Sequence, residues 1–175
     1  TGKMKSIEEN FNSHFWTGNK YHSPGHKGET DDRANAMAVV AGLAKKEYYP
    51  DIQKVLKSEF HASPYMEKYV GEALYLMGKP QQAVERIKSR YMAQINSPIT
   101  TLWEGWDLSQ KSWTYNHAWS GGPLTLLCQY GAGIAPVSPG FSMFSVLPQM
   151  GPLEKINITV PVPGGEITAK LINKN

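Results

Sequence analysis

A mainly helical fold that ends in a small antiparallel β-sheet is what this chain of 175 residues predicts. Three observations carry the prediction. Apolar residues recur every three or four positions through the first 135 residues, proline and glycine mark where each run starts and stops, and beyond Pro136 the composition changes and leads to strict alternation from Ile156. Hydrophobic residues make up 41% of the chain and aromatics 11%, enough apolar material for a core.

Met4, Ile7, Phe11 and Phe15 share one face of a first helix, and Gly18, Pro24, Gly25 and Gly28 then break the pattern. Asp31 is a predicted N-cap, Asp32 a first-turn carboxylate favoured by the helix dipole, and Met37, Val40, Ala41 and Ala44 the stripe of a second helix. Pro50 opens a third helix carrying Ile52, Val55 and Leu56. Ser63 caps a fourth, Pro64 starts it, and Met66, Tyr69, Val70, Ala73, Leu74 and Met77 run down one face to Gly78. Pro80 opens a fifth with Ala83, Val84, Ile87 and Tyr91 inward. Residues 98–115, rich in Trp, Gly and Thr, predict no regular structure. A sixth helix over 123–131 is apolar nearly all round, which predicts burial on most sides.

Pro136, Pro139, Gly140, Pro148, Gly151 and Pro152 punctuate the last forty residues or so. Ile156, Ile158, Val160 and Val162 alternate with Asn157, Thr159 and Pro161, as a half-buried strand does, and Pro161 demotes its end to an edge or a bulge. Gly164-Gly165 reads as the hairpin turn, with Ile167, Ala169 and Leu171 on the return strand. Three or four strands cannot close a sandwich, so this sheet packs on the helices or on strands outside the chain.

Several function classes drop out. The net charge of +3 is small and its Lys and Arg are dispersed, which gives no nucleic-acid footprint. The longest apolar runs fall short of the ~18 residues a membrane span needs. Cys128, the single cysteine, lies in the apolar run Leu124–Cys128 and reads as a small buried hydrophobe. The chain starts at Thr1 without a signal peptide and reads as a piece of a longer protein.

Two segments carry the chemistry. Thr100-Thr101-Leu102-Trp103-Glu104-Gly105-Trp106-Asp107 sets one carboxylate between two indoles, and Asn116-His117-Ala118-Trp119-Ser120-Gly121-Gly122 comes nine residues on. Tryptophan faces suit the C–H faces of a sugar, and a carboxylate among aromatics is a candidate acid or base. Trp103 and Trp106 read equally as a sugar platform or as core, and Glu104 equally as a site residue or as a helix N-terminal or loop carboxylate tied to backbone amides. Other candidates read as structure. Asp31, Asp32 and Arg33 fit a cap and first turn; His22, His26, Glu29 and Asp31 match no zinc spacing; His61 beside Ser63 lacks a nucleophile elbow. Asp107 reads as a turn cap.

The runs Asp31-Asp32-Arg33-Ala34-Asn35-Ala36 and His61-Ala62-Ser63-Pro64-Tyr65, the Thr-Thr-Leu-Trp-Glu block at 100–104, the Asn-His-Ala-Trp block at 116–119 and the ending Gly133-Ile134-Ala135-Pro136, Pro139-Gly140-Phe141 resemble, in order, bacterial alpha-L-rhamnosidases of glycoside hydrolase family 78. The resemblance implies a partial (α/α)6 toroid of helical hairpins over 1–136, the C-terminal half of a catalytic domain, and the strands of an incomplete β-sandwich over 137–175. It implies an inverting hydrolase that releases terminal alpha-L-rhamnose from oligosaccharides or glycosides. Glu104 would be the general base, and Trp103, Trp106, Asn116, His117 and Trp119 would contact substrate. The family's general acid lies in an Asp-x-Pro-x-Arg-Asp-Glu-like motif that these residues lack, so the chain would be inactive alone. The implied partner is a rhamnose-containing carbohydrate, with no cofactor, metal, nucleic acid or membrane. A half-toroid would expose apolar helix faces and self-associate. Export to the periplasm or beyond would follow only from the family. A toroid glycosidase of different specificity and a non-catalytic carbohydrate-binding module remain the alternatives.

Overall fold

In a computed structural model of the chain, which describes residues 2–107, 109 and 113–174, six α-helices precede two short antiparallel ribbons. The helices are α1 (Gly2–Phe15), α2 (Asp32–Val40), α3 (Tyr49–Ser58), α4 (Pro64–Leu76), α5 (Pro80–Ile95) and α6 (Gly122–Leu126). The strands are β1 (Ile134–Pro136), β2 (Phe144–Val146), β3 (Lys155–Val162) and β4 (Gly165–Ile172).

The predicted caps form. Asp31 accepts from the Ala34 amide and Ser63 from the Met66 amide. At the other end of α4, Lys79 donates to the Leu74 carbonyl and Gly78, at φ 70°, to that of Tyr75, so the helix closes in a Schellman motif.

Packing sorts the helices into two layers. α2, α4 and α6 lie against one another in a row, α3 packs on α2 and α5 on α4, and Gln53 of α3 donates to Gln82 of α5 at 2.9 Å. The core sits between the layers, with Ile52, Leu56, Val70, Ala73, Leu74, Tyr75 and Ala83 fully enclosed. α2 differs from the expected stripe. Met37 is 40% exposed and Ala41 is on the surface, while Asp32, Asn35, Ala36, Ala38 and Val39 are buried. The helix turns by about one position because two polar side chains have partners inside: Asn35 accepts from the Tyr21 amide, and Asp32 meets Arg86 of α5.

The predicted sixth helix splits into α6 and a π-turn over Leu127–Gly131, and burial on most sides does not hold: Leu124 is 68% exposed. The predicted single sheet is two separate ribbons, β1 with β2 and β3 with β4. In the second, Val162 pairs with Gly165, so the turn is Pro163-Gly164, one residue earlier than expected. Pro163 presets the first turn position, and Gly164 takes the positive φ (88°) needed at the second. The ribbons attach to the end of the helical layer: Leu147 donates to the Gly133 carbonyl, Gln149 to that of Tyr130, and β3 packs on the π-turn. Among the described residues no helix is long and apolar enough to cross a membrane.

Candidate functional site

The irregular stretch after α5 folds back on itself as a long clasp. Glu104 donates its amide to the Thr114 carbonyl at 3.1 Å, and His117 to that of Leu102 at 2.9 Å, so residues 102–104 lie opposite 114–117. Gln94 of α5 accepts from the Trp103 amide, and the Ser120 hydroxyl donates to the Trp103 carbonyl at 2.6 Å. These bonds hold the clasp against the end of α5 and Ser120.

Trp103 is the inward side of this loop. It is only 5% exposed, and its indole N–H has no partner among the described residues. Its faces are closed to any ligand, so the expected sugar contact at Trp103 is corrected to a core indole. Side chains in an extended clasp alternate, which puts Glu104 outward where Trp103 is inward. Trp106 is half-buried and spends much of its ring on the protein. Its N–H donates to the Ala62 carbonyl at 2.7 Å, the Arg90 guanidinium lies 4.3 Å from its ring centre, and Tyr91 meets it edge-on at 5.1 Å.

Glu104 itself is partly open, with 29% of its side chain exposed. One oxygen accepts from the Thr114 backbone amide at 2.9 Å and the Thr114 hydroxyl at 3.2 Å. His117 Nδ1 lies 3.8 Å from that oxygen and 2.6 Å from the Thr114 hydroxyl. The Thr114 amide, more than its hydroxyl or the nearby His117, holds the Glu104 carboxyl below the ordinary carboxylate value against a smaller opposing effect of burial. The group is therefore ionised at neutral pH. Among the described residues its second oxygen carries no hydrogen bond, which leaves a lone pair for a water.

His117, 3.8 Å from this carboxylate, stands against Trp119 with ring centres 4.0 Å apart, and Trp119 in turn meets Tyr65 of α4 at 5.2 Å. Asn116 is exposed on the same clasp. Thr114 and Tyr65 were missed as site residues by sequence reasoning. Thr114 offered no signal beyond its place between two aromatics; Tyr65 closes the His61–Tyr65 run. Two cavities open along this part of the chain among the described residues. An apolar one of about 530 Å³ opens between α5, residues 97–102 and α6, and one of about 410 Å³ is walled by Trp119, Tyr65 and Tyr69; Glu104 and His117 line neither.

The other candidates are structural. Asp107 accepts from the Ser109 amide and hydroxyl, as a turn cap does. His61 pairs with Glu59 on the surface. His22 engages the Gly28 carbonyl and Glu29 pairs with Lys20, and among the described residues no three His, Cys, Asp or Glu side chains converge as a metal site requires. Asp31 caps α2 and pairs with Arg33. Asp32 has a larger role that the sequence did not show. It is fully buried and paired with Arg86, which also binds Glu67 at 2.8 Å and the carbonyls of Leu56 and Glu59; Arg90 binds Glu67 too. Ala62 joins this cluster to the clasp, donating to Asp32 and accepting from Arg90 and Trp106.

No family model and no curated protein matches the chain in sequence. Its fold does match solved structures. The alpha-L-rhamnosidase of Streptomyces avermitilis, solved with L-rhamnose, superposes with a TM-score of 0.76 over 99% of this chain and 18% of its own, at 18% identity. The alpha-L-rhamnosidase of Aspergillus terreus does so with a TM-score of 0.75 over 97% of this chain and 21% of its own, also at 18% identity. The chain thus spans about a fifth of the length of the solved structures it matches, and throughout that span it shares their fold.

Proposed function

We propose that this chain is the C-terminal part of the helical toroid of an inverting alpha-L-rhamnosidase, over residues 1–136, followed by β-sandwich strands over 137–175. The β1–β2 ribbon straddles that division. In this reading the longer protein releases terminal alpha-L-rhamnose. Glu104 deprotonates the attacking water, and a second carboxyl from outside this chain protonates the leaving oxygen. The two would stand roughly 6.5–9.5 Å apart, leaving room for the water. His117, Asn116, Trp119 and the open part of Trp106 touch the bound glycoside, while Trp103 supports the clasp from beneath.

One observation carries the reading: a partly open carboxylate whose pKa a backbone amide lowers, with its second oxygen free of hydrogen bonds among the described residues, stands beside the His117 and Trp119 rings. A base must be ionised before the reaction begins, and sugar rings need flat apolar walls. The likeness of fold to two rhamnosidases along nearly the whole chain supports the choice of sugar. The test is Glu104→Gln in the longer protein with an aryl alpha-L-rhamnoside. We expect kcat to fall by about 10²–10⁴-fold with the circular dichroism unchanged. Turnover near normal would remove Glu104 from the chemistry. A second reading, a carbohydrate-binding segment without chemistry, draws on the exposed Trp119 and Tyr65 rings beside half-buried His117 and makes the opposite forecast for the same variant. A panel of other aryl glycosides separates rhamnose from a different sugar.

A further inference from the structure

Four rings from two distant stretches of chain form one continuous wall. His117 leans on Trp119 at 4.0 Å, Trp119 meets Tyr65 at 5.2 Å with the planes at 47°, and Tyr65 meets Tyr69 at 5.7 Å. Tyr65 and Tyr69 stand one turn apart on α4, so both face the same side of that helix. Trp119 is 48% exposed and Tyr65 40%, so both rings are open to a ligand. Beyond Trp119 the wall bounds the cleft of about 410 Å³, whose other side is α6 from Gly122 to Thr125.

The polar groups in this cleft define its ligand. The Tyr65 and Tyr69 hydroxyls share a hydrogen bond of 3.2 Å at the rim, leaving further donor and acceptor capacity there. Lys68, the one cation lining the cleft among the described residues, is already paired with Glu72 and lies 4.7 Å from the Tyr69 ring centre. Its charge is neutralised within the protein and is not held out for an anion. Ring faces are electron-rich and the axial C–H bonds of a sugar are electron-poor, so such a wall attracts a pyranose face while the hydroxyl rim serves its edge.

We propose that the Tyr65–Trp119 wall is a carbohydrate subsite next to the Glu104 site, and that it takes one uncharged pyranose ring of a glycoside. The proposal rests on the reading of the Glu104 clasp as sugar chemistry, and adds to it the residues Tyr65 and Tyr69 and the exclusion of uronic acids. Reached from His117 through Trp119, it would take the ring next to the reacting sugar.

The test is calorimetry on the 175-residue chain with methyl alpha-L-rhamnopyranoside, D-galacturonate and 4-nitrophenol as probes. Tyr65→Ala and Trp119→Ala should each weaken the rhamnoside about tenfold, the scale of one aromatic contact, and Tyr65→Phe should restore most of the binding because the ring is kept. Galacturonate should bind at least about tenfold more weakly than the rhamnoside. Circular dichroism confirms that each variant is folded. Equal binding by wild type and Tyr65→Ala, no binding of the rhamnoside by the folded chain, galacturonate binding as tightly, or 4-nitrophenol binding more tightly than the sugar would each overturn the subsite. The catalytic reading fails on a different result, normal turnover by Glu104→Gln, which leaves a Tyr65-dependent sugar affinity standing.

Discussion

Thr114 governs Glu104 more through its backbone than through its side chain. The amide of Thr114 is the main reason the carboxyl sits below its ordinary value, with the hydroxyl and His117 contributing less. Thr114→Val keeps the amide and removes the hydroxyl, so the Glu104 pKa should rise only part of the way back. Carbon-detected NMR titration of the Glu104 carboxyl reads this directly, and an unchanged titration would show that the hydroxyl is irrelevant. The sign carries over to activity. In the proposed role of Glu104 as base, a depressed pKa keeps it ionised well into acid, so the acidic limb of the pH–rate profile should lie low and move up in Thr114→Val. Gly105, next to Glu104, is buried under the Trp113 ring, and a Cβ there would collide with it. Gly105→Ala should displace Trp113 and cost about 1–3 kcal/mol in a denaturant melt.

Elements are joined here by charge as much as by apolar packing. Arg86 of α5 binds Asp32 of α2, Glu67 of α4 and the carbonyls that end α3, all out of water. Removing one member leaves the others as uncompensated buried charges, which outweighs the loss of any single surface pair. Arg86→Met should therefore destabilise by about 3–5 kcal/mol, whereas losing the Ser63 cap in Ser63→Ala should cost about 1 kcal/mol. Urea midpoints rank the two, and a smaller effect for Arg86→Met would mean that the cluster is dispensable. The cluster also reaches the site. Arg90, bound to Glu67, shares the Ala62 carbonyl with Trp106, so α4 and α5 set where the clasp begins.

The surface of the whole molecule is unusually apolar in places. Met4, Ile7, Ile95, Leu124 and Leu147 are each more than half exposed, and several belong to helix faces with no partner among the described residues. The isolated chain should self-associate, and light scattering across a concentration series checks it; a constant monomer mass would refute it. Burial sets the alkaline limit of the fold. It pushes the Tyr75 phenol from 10.0 up to about 12 and raises those of Tyr21, Tyr91 and Tyr130 as well. Between those two values the unfolded chain has released its proton and the folded chain has kept it, so stability present below pH 10 falls as pH rises through the window. At the acid end the sign reverses. Glu104 and Asp31 have depressed folded values, so what they contribute is present above the ordinary carboxylate range and lost as pH falls.

Local chemistry alone determined the helices, their caps, the strand alternation and the position of the Trp-Glu loop, because caps, prolines and apolar periods act within a few residues. Tyr65, Thr114 and Arg86 were not legible in that way. Each acquires its role from a partner 10 to 54 positions distant: Glu104 for Thr114, Trp119 for Tyr65, Asp32 for Arg86. Which indole beside Glu104 turns inward, why α2 buries Asp32 and Asn35 in place of Met37, and why the hairpin turns at Pro163-Gly164 were likewise decided by tertiary structure. A polar side chain is inside only when the fold supplies its hydrogen-bond partner, and a strand's register is set by what it pairs with; neither partner is visible from the residue's own neighbourhood.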